Sequence, residues 1–381
     1  MRGASSGGAA LGLGAKLLRI NWLLLLLVGL LAGAGFLMLY SAADGRLDPW
    51  AGRQMVRFAA GSAIMIGLAL VDIRLLLRHA YTIYGLVLAM LVAVDLAGIM
   101  GMGARRWLDL GPVALQPSEL MKVTLVLALA RLYHFLDDGQ VNRLLWHLPP
   151  LLLIAVPVGL VLEQPDLGTA VMISAVGAAM LFLAGVAVWK FVAAGLGAAA
   201  LVPIAWSMLH DYQRRRVLTF LDPDQDPLGA GYHITQSKIA LGSGGMFGKG
   251  FLNGTQAQLD FLPEKHTDFI FTMLAEEFGM MGCLFVLALY ALVIAICFAT
   301  GLRSRSQFGR LLALGVGCML FFYVFINVGM VMGLLPVVGV PLPLISYGGT
   351  AMLTVQLGLG LVLSAAVHQD VEIGRGPGAM D

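Results

Sequence analysis

The sequence predicts an all-α polytopic membrane protein, a bundle of about ten transmembrane helices with one long polar loop between the seventh and the eighth. Three observations carry that expectation. Of 381 residues, 59% are hydrophobic and only 12% are charged, and the mean hydropathy is +0.87, whereas a soluble domain carries about 25% charged residues. Apolar runs long enough for a bilayer core, which takes about 20 residues per helix, recur along the whole chain. One stretch alone, 211–268, breaks the pattern with dense polar and charged side chains.

Lys16 and Arg19 precede the first run, 20–41. A cleaved signal peptide is the rival reading, with Tyr40-Ser41-Ala42-Ala43 as the cleavage site. Its apolar region would hold only roughly 7–15 residues, so the run is read as the first span, after a disordered tail at 1–19. The next runs are 54–71, 80–100 and 115–135, the last with Gln116, Glu119 and Lys122 in its first turns. Runs at 146–163, 168–187 and 190–210 lead to the polar loop. Beyond it, 269–300 is too long for one straight span, and Gly279 with Gly282 marks an expected bend. Runs at 309–335 and 346–367 complete the set, followed by a tail at 368–381. Short connections make 20–367 one domain.

The 48 glycines have no period, which suits close helix contacts in lipid. Cys283, Cys297 and Cys318 fall inside apolar runs without metal-ligand spacing and read as small hydrophobes. A net charge of +2 and the lack of a basic arm argue against a nucleic-acid partner. The Lys and Arg bias of the short loops puts both termini in the cytoplasm. Asp109, Glu119, Glu163, Asp166, Asp222, Asp224, Asp226, Glu264 and Asp268 then gather on the outer side.

Each polar motif has a bland reading beside a functional one. In FLPEKHTDFIF (261–271), Thr267 or Asp268 could cap the following helix, which leaves Glu264, Lys265 and His266 unexplained. In EQPDLGTA (163–170), Asp166 reads first as a helix start, whereas Glu163 needs water or a partner. Glu119 and Lys122 in LQPSELMK (115–122) share a helix face and can pair, and ions at membrane depth usually face a cavity. Arg53, the cluster Arg214–Arg216, Lys238 and Lys249 suit lipid headgroups or a phosphate. GSGGMFGKG (242–250) is glycine-rich like a phosphate loop but lacks the Walker pattern. VPLPLISYGGT (340–350) reads as a rigid re-entrant turn.

Together, QPSELMK (116–122), EQPDLGTA (163–170), GAGYHITQSKIALGSGGMFGKG (229–250), GTQAQLDFLPEKHTDFIFTMLAEEFG (254–279) and GVPLPLISYGGT (339–350) resemble the SEDS family (shape, elongation, division and sporulation). The resemblance runs from about residue 20 to 367 in unbroken motif order and is nearest to the elongation members. It implies ten transmembrane helices, polymerisation of lipid II into glycan strands at the outer face of the bacterial cytoplasmic membrane, and an essential Asp268. It also implies a class B penicillin-binding protein as partner, within a set of elongation-complex membrane proteins.

The chemistry expected is attack of a sugar 4-hydroxyl on the anomeric carbon of a second lipid II, expelling undecaprenyl pyrophosphate. One carboxylate base then suffices, because pyrophosphate leaves without a strong acid, unlike the leaving group in two-carboxylate sugar hydrolysis. Asp268 is expected as base. Arg53, Lys122, Arg214 and Arg216, or a divalent cation (Mg2+ or Mn2+), would meet the leaving group, with Glu119 and Asp166 orienting that cradle. Lys238, Lys265 and His266 complete the expected substrate contacts. A lipid II flippase and a non-catalytic scaffold are the alternatives. The flippase would need charged groups toward both faces and an inverted repeat, and neither is visible.

Overall fold

The computed structural model describes residues 12–101, 104–109, 111, 114–208, 211–222, 230–255 and 264–374. The tips of both tails, Asp224, Asp226 and the side chain of Arg216 lie outside the described residues. In chain order come α1 (Leu13–Arg19), α2 (Trp22–Ala42), α3 (Ala51–Leu70) and α4 (Ile73–Ala97). A small antiparallel sheet follows, with β2 (Ala104–Asp109) between β1 (Ile99–Gly101) and β3 (Ala114–Leu115). Then come α5 (Pro117–His134), the short α6 (Asp138–Val141), α7 (Leu148–Glu163), α8 (Leu167–Leu183) and α9 (Val188–Met208). The polar loop contains α10 (Asp211–Leu221) and α11 (Ala230–Ser243), and the chain ends with α12 (Ile270–Arg303), α13 (Gln307–Val331) and α14 (Gly349–Val367).

All ten apolar runs are helices. Six of them (α2, α4, α7, α12, α13 and α14) are long and apolar enough to cross a membrane, and α8 and α9 contain shorter apolar segments. The remaining two, α3 and α5, carry charged residues in their first turns. Short polar residues set the starts: Asn21 accepts from Leu24 N, Asp72 from Arg74 N and Ser306 from Gly309 N. Each satisfies a backbone donor that the first helical turn leaves without a partner.

Helices α5, α13 and α14 form the centre, buried along nearly their whole length. The first and last described segments meet at one end of the bundle. There Arg19 pairs with Asp370 at 3.1 Å, Lys16 donates to the Leu70 carbonyl and Arg305 N donates to the Gln369 carbonyl. The Arg19–Asp370 pair is solvent-exposed and adds little stability.

The long helix α12 is broken at Gly279, with φ 65° and ψ −164°, at the bend that the glycines predict. The glycine-rich loop repairs the break. Lys249 N and Gly250 N donate to the carbonyls of Glu276 and Glu277, while Met280 N and Met281 N donate to those of Gly245 and Met246. No water replaces lost backbone bonds inside a membrane, so the loop stands in for the missing turn. Gly248, at φ 78°, makes this possible, because a Cβ there would lie 2.1 Å from the Glu277 carbonyl oxygen. GSGGMFGKG is therefore a helix clasp. Neither α10, α11 nor the sheet is visible as an apolar run, since the strands have two to six residues and both helices mix polar with apolar side chains.

Candidate functional site

A cavity of about 490 Å³ opens at the end of the bundle opposite the termini. Its walls come from β2, the start of α5, the α7–α8 turn, the segment 264–268 and the re-entrant turn 338–348 with the start of α14. Asp268, Glu264, Asp166, Glu119 and Arg106 line it.

Asp268 is not the cap of α12. The N-cap position belongs to Phe269, without a side-chain bond, and the helix begins at Ile270. Backbone contacts hold the segment instead. Asn327 Nδ2 donates to the Asp268 carbonyl at 2.9 Å and to the Val340 carbonyl at 2.7 Å. Ser346 Oγ donates to the Thr267 carbonyl and accepts from Leu342 N, and Tyr347 N donates to the His266 carbonyl. Two irregular strands are thus stitched side by side by groups that must be satisfied when buried. The Asp268 carboxylate is carried toward Gly339, where a Cβ would lie 3.4 Å from Oδ2.

Glu119 lies one α5 turn from Lys122, and both are almost wholly buried. Lys122 Nζ donates to Glu119 Oε1 at 2.6 Å, and Tyr323 OH donates to Oε2 at 2.6 Å. The ammonium also sits 4.4 Å from the Tyr323 ring centroid. Such a pair holds its ions only because both are bonded, so the charge of Lys122 is committed to Glu119.

Asp166 caps α8 and lines the cavity together with Thr169 and Gln116. Thr169 N donates to Oδ1, while Thr169 Oγ1 at 2.9 Å and Gln116 Nε2 at 3.3 Å donate to Oδ2. The bland and functional readings of Asp166 therefore coexist.

His266 stacks on Trp50, with ring centroids 4.4 Å apart and planes at 11°. Burial pushes its imidazole below the usual histidine value, Lys265 adds to that and Glu264 opposes it. Lys265 is buried beside it.

Among the described side chains, Arg53, Lys122 and Arg214 of the expected cradle do not line the cavity, and neither do Lys238, Lys249 and Lys265. Arg53 is exposed on α3. Arg214 donates to the carbonyls of Trp206 and Ser207, where a cation complements the end of α9. Lys238 crosses Gly333 on α13's exit. Lys249 donates to Glu276 Oε1 at 2.6 Å and to Thr255 Oγ1. Among the described residues, no group of three or more His, Cys, Asp and Glu is placed to hold a metal ion.

Among the described residues, Arg106 is the basic side chain that does line the cavity. It donates to the carbonyls of Gln164 and Pro165, which fixes the guanidinium over the α7–α8 turn. In the sequence, Arg105 and Arg106 carry information on topology only. Arg57 stands behind the cavity wall, its guanidinium carbon 5.0 Å from the ring centroid of Tyr347, which lines it. A turn's spacing from Arg53 to Arg57 is the signal that could have found it.

Residues 16–371 match the cell cycle protein family of FtsW, RodA and SpoVE. The chain is 46% identical over 357 residues to the peptidoglycan glycosyltransferase MrdB of Escherichia coli K12, covering 91% of this chain and 93% of that one. It is 41% identical over 280 residues to the probable peptidoglycan glycosyltransferase FtsW of Aliivibrio salmonicida, covering 72% and 69%. The crystal structure of the rod shape determining protein RodA of Thermus thermophilus superposes with a TM-score of 0.70 at 32% identity, over 93% of this chain and 98% of that one. A chain of a peptidoglycan synthase complex, studied for how polymerization and crosslinking are coordinated, gives 0.79 at 37% identity, over 91% and 97%. Motif order, bundle and comparisons agree: the chain belongs to the FtsW/RodA/SpoVE family of cell cycle proteins.

Proposed function

We propose that this chain is a peptidoglycan glycosyltransferase, polymerising lipid II into glycan strands during cell elongation, with Asp268 as general base. The identity to the peptidoglycan glycosyltransferase MrdB supports the reaction class, and the similarity to a rod shape determining protein supports the elongation role. The observation that carries the residue assignment is the position of Asp268 on the wall of a polar cavity, on backbone fastened by Asn327 and Ser346.

In the proposed step, the acceptor 4-hydroxyl oxygen bonds to the donor anomeric carbon while the bond from that carbon to pyrophosphate breaks. The hydroxyl proton passes to Asp268, and the pyrophosphate leaves with the bonding electron pair. Arg106, on the cavity wall, meets the charge that develops on it. Glu119 and Asp166 shape the cavity and keep its floor rigid through Lys122, Tyr323 and Thr169. Lys238 and His266 act through the loops that they pack against.

The cavity faces outward and both termini are cytoplasmic in this reading, supported by the basic residues Lys16, Arg19, Arg303, Arg305 and Arg310 at the terminal end. The partner is a class B penicillin-binding protein, a choice supported by the similarity to a subunit of a synthase complex that couples polymerization and crosslinking.

Polymerisation of purified lipid II by Asp268→Asn protein is the test. A rate lowered roughly 10²–10⁴-fold is expected for loss of a general base, with the thermal midpoint unchanged. A wild-type rate would overturn the assignment of Asp268 as the base.

A further inference from the structure

Helix α9 is exposed along nearly its whole length, and every described side chain beyond Phe191 is open. Between it and the α7–α8 pair lies a cavity of about 420 Å³. Leu151 and Ile154 of α7, Ala178 and Leu181 of α8, and Trp189 and Ala194 of α9 form its walls. They are almost wholly apolar. A dry gap of this kind does not hold water, which needs polar partners, and open dispersion contacts favour filling it with hydrocarbon.

One end of the cavity is charged. Lys190 Nζ donates to the Asn142 carbonyl at 2.7 Å and to His147 Nε2 at 3.1 Å. His147 must accept there, since its Nδ1 faces the Arg143 carbonyl at 2.8 Å as donor. Both acceptors are uncharged, and among the described residues no carboxylate pairs with the ammonium. Asp137, the acid on the adjoining turn, is occupied in capping α6. Arg143 is exposed beside it, and Asn142 ties the turn to the start of α9 by accepting from Ala187 N. The α7–α8 groove continues past Ser174 to Val171, Leu167 and Leu162. The 17 residues of α8, at about 1.5 Å each, separate this charged end from the cavity of Asp268.

We propose that an anionic phospholipid occupies this cavity, one acyl chain between α9 and α7–α8 and its phosphate against Lys190. Charge complementarity selects the headgroup, and the apolar walls select the chain. The lipid then supplies the packing that the protein withholds from α9.

The test uses the full chain in vesicles of phosphatidylcholine and phosphatidylglycerol in which one or the other lipid carries brominated chains. Quenching of Trp189 is obtained as the difference between wild type and Trp189→Phe. Brominated phosphatidylglycerol is expected to be preferred at Trp189 by about fivefold, the contribution of one basic residue at a membrane surface. The preference should vanish in Lys190→Gln, and Ala178→Phe should reduce quenching by both lipids. Equal quenching by the two lipids in the wild-type protein alone would overturn the proposal, whatever the variants do. A preference that survives in Lys190→Gln would overturn the assigned headgroup contact.

Discussion

Asp268, just before α12, and Glu277, inside it, are acids of one segment in opposite surroundings. Asp268 lines an open polar cavity. Glu277 is 1% exposed, accepts from Ser41 Oγ through Oε1, and lies under the clasp formed by Gly248 and Gly250. Its neighbour Glu276 is likewise sealed, bound to Lys249 and Thr255. An acid placed for chemistry has its backbone fastened and its carboxylate open, whereas an acid placed for architecture has its carboxylate covered. Two acids nine positions apart in one segment thus serve two ends.

The sharpest way to break this comparison is to remove the charge from each acid in turn. Asp268→Asn should lose most polymerisation, roughly 10²–10⁴-fold, while Glu277→Gln should retain it. Equal losses in lipid II polymerisation would show that the clasp belongs to the catalytic machinery.

The next largest effect is expected on stability at the cavity floor. Lys122→Met leaves the Glu119 carboxylate buried with Tyr323 as its remaining donor, and breaking a buried pair costs about 3–5 kcal/mol. Unfolding of the purified protein in denaturant should show the loss. A change under about 1 kcal/mol would mean that Glu119 is solvated through the cavity. Smaller again is Gly248→Ala, which places a Cβ against the Glu277 carbonyl in a backbone region that alanine disfavours. It should lower stability by about 1–3 kcal/mol and, if the clasp is separate from chemistry, leave the rate per folded molecule intact.

The smallest effect is set by pH. Burial lowers the proton affinity of His266 in the folded state, so the unfolded chain takes up its proton first as pH falls. Stability is then complete above about 6.5, the ordinary histidine value, and declines below it until the folded imidazole also protonates. Thermal midpoints of wild type and His266→Phe should converge in slope above that pH and diverge below. Parallel curves would show that the Trp50 stack leaves the imidazole hydrated.

The ten helices were legible because each is a long apolar run, and the break at Gly279 because a helix of that length cannot stay straight across a bilayer. The site was legible only in part. Glu119, Asp166 and Asp268 stood out as acids at the ends of apolar runs, and the fold brings them to one cavity. Which cations stand with them was not legible, because that depends on contacts between helices. Arg214 looks like a phosphate ligand in sequence, yet its guanidinium closes the end of α9. Arg106 looks like a topology marker, yet the turn carrying Asp166 holds it at the cavity. The glycine-rich loop misleads for the same reason, since close approach to a phosphate and close approach to a helix demand the same residue.

The clasp also changes what solvent exchange will report. In an unbroken membrane helix, the amides of Met280 and Met281 would rank among the slowest to exchange. Here their acceptors are Gly245 and Met246, and the adjoining Phe247 is 80% exposed. Their protection therefore measures how long the loop stays closed. Deuterium uptake at those two positions is a clock for the loop, read from inside a helix.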